Sequence, residues 1–353
     1  MRVAIVNDLR IATEALRSVL VAGGHQVAWT ALDGKESVVR AKTDPPELIL
    51  MDLVMPIMDG AEATRQIRIT AKIPILVVTS SVAANFDLAT KAMSYGALDV
   101  VLLPTIKDDP AKDGSSLLKR LKNIQNINIH TEKISSAMMQ KLPYPPTLPY
   151  PPYPSMGALS QNEIKLVVIG GSTGGPAAFE KIVLGLGPKS DAAFIFLQHI
   201  GGEFCESFAK WLGRPGYLPL SIAQPGEKPT PGKILLANSD RHLIMKRDGS
   251  LDYSIEPTEI PFLPSVDVFM ESLALNWKGV GIAGILTGIG RDGAKGLLAL
   301  HQKGWTTFAQ DEATSVVHGM PKAAADLGAA KYILPIDQVT DFLQRQLSKT
   351  VSK

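Results

Sequence analysis

Cysteine is almost missing from this chain. Cys205 stands alone among 353 residues, so no intrachain disulfide can form and a thiolate-based metal centre is not expected. Blocks of Lys or Arg are missing too, and the formal net charge is only +2. That argues against a groove for nucleic acid, whose phosphates demand concentrated positive charge. No apolar run is long enough to cross a bilayer: the longest, near residues 280–289, is short and broken by glycines. Arg2, Asp8 and Arg10 interrupt the first apolar run, so neither a signal peptide nor membrane insertion is expected, and the location expected is the cytoplasm. What is present is a globular composition, 45% apolar and 20% charged, in place of the low-hydropathy, high-charge balance of a disordered chain. The length suits two domains better than one core.

Short apolar runs alternate with amphipathic helical patterns through residues 1–122. The runs VAIVN, QVAWTA, LILMD, PILVVTS and LDVVLLP are each short enough for a buried strand, and five β-α alternations predict an α/β domain with a doubly wound parallel sheet. The pattern fails over residues 123–162, where KLPYPPTLPYPPYPSMGALS reads as a semi-rigid, extended linker. A proline-rich docking motif is the other reading of that stretch. A second α/β pattern occupies residues 163–348 and opens with LVVIGGSTGGP.

That opening reads strand, tight turn, helix. Gly170, Ser172 and Gly174 satisfy G-x-S-x-G, a turn that lifts a serine hydroxyl to the carboxyl end of a strand. Backbone N–H groups at the following helix start can hold a developing oxyanion. Glycine-rich strand-to-helix turns also bind phosphate, but no Lys follows these glycines as in a Walker loop. A serine hydroxyl needs a base. Of six histidines, His199 ends the run AFIFLQH at the carboxyl edge of a predicted strand, where α/β ligand sites collect. His25, His130 and His301 fall in helical or linker contexts, and His242 and His318 in predicted loops. The base needs an orienting carboxylate. Asp292 lies in the glycine-rich loop of ILTGIGRDGAKGL, where a helix cap is the bland alternative; Asp267 and Asp311 are rivals that spacing leaves open. Cys205, among Phe204, Phe208 and Trp211, reads as core and not as a partner for His199.

GGSTGGP, FLQH, PSVDV, ILTGIGRDGAKGL and AQDEATSVVHGMPKAA, in this order behind the first domain, resemble the chemotaxis response-regulator family of protein-glutamate methylesterases. The resemblance spans nearly the whole chain except the linker. It implies that Ser172 attacks the γ-methyl ester of a receptor glutamate, that His199 is the base and Asp292 its orienting carboxylate, and that the backbone N–H groups of Thr173 and Ile289 form the oxyanion site. Methyl-accepting chemoreceptors are then the substrate, with receptor glutamines as amide substrates of the same attack. Ile289 stands where the family usually has methionine, and Leu263 where it often has arginine.

In a doubly wound sheet of flavodoxin-like order, strands 1 and 3 are neighbours, so Asp8 and Asp52 should converge and suit Mg²⁺. MDLVMPIMDG resembles the phosphorylation segment of receiver domains. The likeness implies Asp52 as phosphoacceptor from a histidine kinase, the Val54 carbonyl as a further metal ligand, and Thr79 as a contact of the phosphoryl group. The chain departs from the receiver pattern in three places: Asn7 replaces the first of two acids, Leu103 the lysine before Pro104, and Val100 the switch aromatic. A surface-sensing (Wsp-type) branch of the family is similar in its VND start and missing lysine. Two other readings compete with the enzyme: a receptor-docking adaptor with a degenerate receiver, and a phosphate-binding regulator using GGSTGG as an anion nest.

Overall fold

The computed structural model describes residues 1–134 and 164–349, apart from Lys72, Val82, Ala83, Ser239 and Pro261. The Pro/Tyr-rich run, and the docking motif considered for it, lie outside the described residues. The first part contains strands β1 (Arg2–Val6), β2 (Gln26–Ala31), β3 (Leu48–Asp52), β4 (Ile75–Thr79) and β5 (Asp99–Leu102). They alternate with helices α1 (Arg10–Ala22), α2 (Gly34–Thr43), α3 (Gly60–Thr70), α4 (Phe86–Ser94), α5 (Pro110–Asp113) and α6 (Ser115–Ile134). Helix α6 runs past residue 122, beyond which the sequence reading placed the linker. Each strand of ILVVT type is buried at every position because helices cover both faces of the sheet. Asp33 and Asp59 start α2 and α3 by accepting from the N–H groups of Glu36 and Glu62, the usual way to satisfy first-turn donors. The sheet order is β2-β1-β3-β4-β5, all parallel, so β1 and β3 are neighbours as predicted.

The second part contains β6 (Lys165–Gly171), α7 (Gly175–Leu186), β7 (Ala192–Gln198), α8 (Gly202–Leu212), β8 (Leu220–Ile222) and β9 (Ile234–Leu236). A hairpin follows, β10 (His242–Met245) with β11 (Leu251–Ser254), then α9 (Val266–Asn276), β12 (Gly281–Ile285) and α10 (Ala294–Gln302). The chain continues through β13 (Thr306–Gln310), α11 (Met320–Asp326), β14 (Tyr332–Leu334) and α12 (Ile336–Lys349). Seven strands form a parallel sheet in the order β14-β13-β12-β6-β7-β9-β8. The chain leaves β6 toward β7 on one side and returns to β12 on the other. That reversal is a topological switch point at the carboxyl ends of the three central strands, the place where such sheets bind ligands.

The two parts share apolar core. Leu53, Val77, Phe86 and Val100 of the first sit in one buried cluster with Phe179, Phe204 and Phe208 of the second. Helix α4 packs on α7, and Phe86 stacks on Phe204 with ring centres 4.8 Å apart, within 5.8 Å of Trp211.

Candidate active site

Strand pairing places the pieces. Gly171 pairs with Gln198, and Gly170 with Ile285, so Ser172, His199 and the loop after β12 all emerge at adjacent strand ends. The His199 N–H donates to the Gly171 carbonyl (3.1 Å) and the Ser172 N–H to the Thr287 carbonyl (3.0 Å). The turn after Ser172 needs glycine: Gly174 has φ +79°, and a Cβ there would meet Val316 at 2.6 Å. Gly288 allows a close approach, since a Cβ on it would lie 2.8 Å from that of Ser172.

His199 and Asp292 meet. The imidazole Nε2 lies 2.8 Å from Asp292 Oδ2, and both side chains are more than nine-tenths buried. Asp292 Oδ2 also accepts from the Val266 N–H (2.7 Å), and Oδ1 accepts from the Ser265 hydroxyl (2.7 Å) and the Asp267 N–H (3.1 Å). Burial alone would push this carboxyl up. The His199 hydrogen bond and charge outweigh it, with the Val266 N–H and Ser265 hydroxyl, and hold Asp292 below the usual carboxylate range. Asp292 is not the helix cap, a place taken by Gly293. The rivals are engaged elsewhere: Asp267 accepts from the Gly296 N–H, and Asp311 from Thr314.

The serine is close in the fold but not joined. His199 Nδ1 is buried without a hydrogen-bond partner, and among the described residues Ser172 Oγ makes no hydrogen bond. The free ring nitrogen is thus Nδ1, with Nε2 on the carboxylate, the reverse of the chymotrypsin arrangement. Among the described residues the N–H groups of Thr173 and Ile289 also donate to nothing, so both remain available to an oxyanion.

Several residues at the site carried no sequence signal. Gln198 Nε2 donates to the Ser172 carbonyl (2.8 Å) and braces the turn. Thr287 donates to the Thr173 carbonyl (2.8 Å). Phe262 stacks on the His199 ring, centres 4.9 Å apart and nearly parallel. His242, read from sequence as a loop residue, begins β10 and is completely buried. Only its motif neighbour PSVDV hinted at that region. Cys205 is buried, as its surroundings suggested.

The acidic end of the first sheet holds Asp8 and Asp52. Burial pushes the Asp52 carboxyl up to about 6, against the Leu53 N–H that favours its charge, and the Asp8 charge raises it further. Asn7 replaces an acid with a donor: its Nδ2 bonds Asp52 Oδ2 at 3.1 Å, while its Oδ1 accepts from the Leu9 N–H. The Leu53 N–H donates to Asp52 Oδ1 at 2.7 Å. Thr79 is buried and accepts from Asn85 Nδ2 (2.8 Å). Leu103 packs on the first-domain core and Val100 is buried, so these positions hold apolar side chains in place of a cation and an aromatic ring. Among the described residues no group of three or more His, Cys, Asp or Glu side chains could hold a metal; a site here has two carboxylates to offer.

A parallel α/β sheet with a buried His–Asp pair beside an elbow serine, behind a doubly wound sheet with an acidic edge, defines a class: a hydrolase carrying a receiver. The family model for CheB methylesterase matches residues 167–343, and that for the response regulator receiver domain residues 3–109. The chain belongs to the CheB methylesterase family. The Burkholderia lata "Protein-glutamate methylesterase/protein-glutamine glutaminase 2" is 42% identical over 99% of both chains. The Pseudomonas aeruginosa "Protein-glutamate methylesterase/protein-glutamine glutaminase 3" is 39% identical over 96% of this chain and 97% of its own. The crystal structure of the Thermotoga maritima CheB methylesterase catalytic domain is 35% identical, covering 52% of this chain and 99% of that one, with a TM-score of 0.47. No helix among the described residues is long and apolar enough to cross a membrane.

Proposed function

We infer that this chain hydrolyses glutamate γ-methyl esters on methyl-accepting chemoreceptors, releasing methanol, and deamidates receptor glutamines by the same attack. The observation that carries this is the buried His199–Asp292 hydrogen bond, which leaves Nδ1 as the free base at a strand end paired with that of Ser172. Substrate entry brings the hydroxyl and imidazole into contact, since catalytic hydrogen bonds often tighten only in the substrate complex. Nδ1 then takes the Ser172 proton as Oγ attacks the ester carbonyl. The tetrahedral oxyanion is held by the Thr173 and Ile289 N–H groups. Asp292 on one side and the Phe262 ring face on the other stabilise the imidazolium. Collapse of the tetrahedral intermediate breaks its bond to the methoxy oxygen, which takes the imidazolium proton; methanol leaves and an acyl-serine remains. Water, deprotonated by the same nitrogen, releases the receptor carboxylate and restores the hydroxyl. For a glutamine the leaving group is ammonia.

The receiver adds control in this reading. Asp52 accepts a phosphoryl group from a histidine kinase, and the Thr79 hydroxyl contacts that group. The paired Asp8 and Asp52 carboxylates, hard oxygen donors at one edge, fit Mg²⁺ together with the Val54 carbonyl. When bound, the ion would offset the charge of the phosphoryl oxygens, a task made heavier by the missing lysine at Leu103. The chain acts in the cytoplasm.

Methanol release from methyl-labelled receptor membranes tests the reading. The intact chain releases methanol, and Ser172→Ala lowers turnover on the order of 10⁴- to 10⁶-fold. A near-normal rate for that variant removes Ser172 as nucleophile. Fluorophosphonate labelling of Ser172, lost in His199→Ala, separates an activated serine from an anion nest.

A further inference from the structure

We propose that His242 and Ser265 are positioning residues that hold the Asp292 carboxylate against His199, through an unbroken buried relay from β10 to the start of α9. The proposal rests on the esterase reading above.

The relay follows from donors and acceptors alone. His242 is fully buried at the head of β10. Its Nδ1 lies 3.0 Å from the Ser265 backbone nitrogen and its Nε2 lies 3.2 Å from the Pro257 carbonyl oxygen. A backbone N–H can only donate and a carbonyl can only accept, so the ring is neutral with its proton on Nε2. The Ser265 hydroxyl accepts from the Val268 N–H (3.2 Å) and lies 2.7 Å from Asp292 Oδ1. An ionised carboxylate only accepts, so the hydroxyl proton points to Asp292. Val266 and Asp267, the first residues of α9, give their N–H groups to the same carboxylate. Asp292 therefore sits on a platform made of the cap and first turn of α9, and His242 anchors that cap by its own backbone N–H.

Two features make this a matter of geometry in catalysis and not of general packing. The platform bears on Asp292 Oδ1 and Oδ2 together, so a shift of Ser265 turns the carboxylate relative to His199 Nε2. Among the described residues, His199 has this one side-chain hydrogen-bond partner to set its rotation, besides the face of Phe262. Misplacement of a catalytic group by about 1 Å costs on the order of 10²-fold in rate.

The two amide replacements of His242 separate the roles. In His242→Asn the side-chain oxygen falls where Nδ1 was and can still accept from Ser265. In His242→Gln the amide reaches the Nε2 position, keeps the Pro257 contact and loses the acceptor. On a glutamyl methyl ester substrate, His242→Gln should lower kcat on the order of 10²-fold with KM little changed, and His242→Asn should recover most of that loss. The downfield proton resonance of the His199–Asp292 hydrogen bond should persist in His242→Asn and move or vanish in His242→Gln. Ser265→Ala, which only deletes a hydroxyl, should reproduce the kcat loss, and its effect should not add to that of His242→Gln. Equal kcat for the two amide variants, or a Ser265→Ala variant whose kcat stays within about threefold of the intact chain, overturns the proposal. An intact chain that releases no methanol sinks the esterase reading instead, so the two failures are distinguishable.

Discussion

Asp267 and Asp292 stand at one helix start and are driven in opposite directions. Asp292 collects four donors, one of them the Ser265 hydroxyl, and stays charged. Among the described residues Asp267 has one, the Gly296 N–H, and burial followed by the charge of Asp292 pushes it up to about 7. The folded protein thus holds a proton on Asp267 that the unfolded chain releases near the ordinary value of 3.8. The stability this group contributes is complete below that value and is lost as pH rises through about 7. Asp267→Asn keeps the acceptor for Gly296 and removes the titration. Its thermal midpoint should match the parent's at low pH and exceed it increasingly as the pH rises through that window; a difference independent of pH would contradict the assignment. Asp52 gives a second pH prediction. In the metal-free protein Mg²⁺ competes with a proton for this carboxyl, so the apparent affinity for Mg²⁺, read by titration, should weaken as the pH falls through about 6. Both carboxylates were visible in the sequence as members of motifs. Their opposite charge states were not, because these depend on which N–H groups the fold aims at each.

At the scale of elements, the strand-to-helix turn after β6 shows how much a motif leaves open. G-x-S-x-G predicts a serine on a sharp turn, and Gly174 supplies the positive φ that turn uses. Nothing in the motif foretells that Gln198 fills the space beside it. A Cβ on Gly175 would lie 1.9 Å from Gln198 Oε1 while the same side chain's Nε2 holds the Ser172 carbonyl. Gly175→Ala should therefore displace the brace, destabilise by about 1–3 kcal/mol in chemical denaturation, and lower kcat. Gln198→Ala should remove much of the added destabilisation in the double variant, the mark of coupled neighbours. The hairpin β10–β11 was missed for a related reason. HLIM is too short to show a period, and its burial comes from α9 packed across it.

Across the whole molecule, the receiver abuts the serine turn. Val316 stands between them: a Cβ on Gly96 would meet its Cγ1 at 3.3 Å, and a Cβ on Gly174 would meet its Cβ at 2.6 Å. Together with the Phe86–Phe204 stack, this contact sets the first domain against the serine turn. Phe86→Ala should loosen it and raise basal methanol release from receptor membranes while leaving the Ser172→Ala chain inactive. Basal release unchanged or lowered would argue that the contact does not restrain the enzyme. Thr79 reaches this surface through Asn85, whose amide bonds its hydroxyl immediately before Phe86, and the buried Val100 belongs to the same shared apolar cluster.

The amino-acid order alone determined the two α/β patterns, the serine turn and the acidic edge, because each is local: a run of apolar residues, a spacing of glycines, an acid at a strand end. It also brought His199 to the right edge, since a strand's last residue is legible from the strand. Choosing Asp292 over Asp267 and Asp311 took tertiary structure, because only the approach of α9 supplies the donors that keep one carboxylate charged. The parts played by His242, Ser265, Gln198 and Phe262 likewise arise from contacts between segments far apart in the chain, where a single residue leaves no periodic trace.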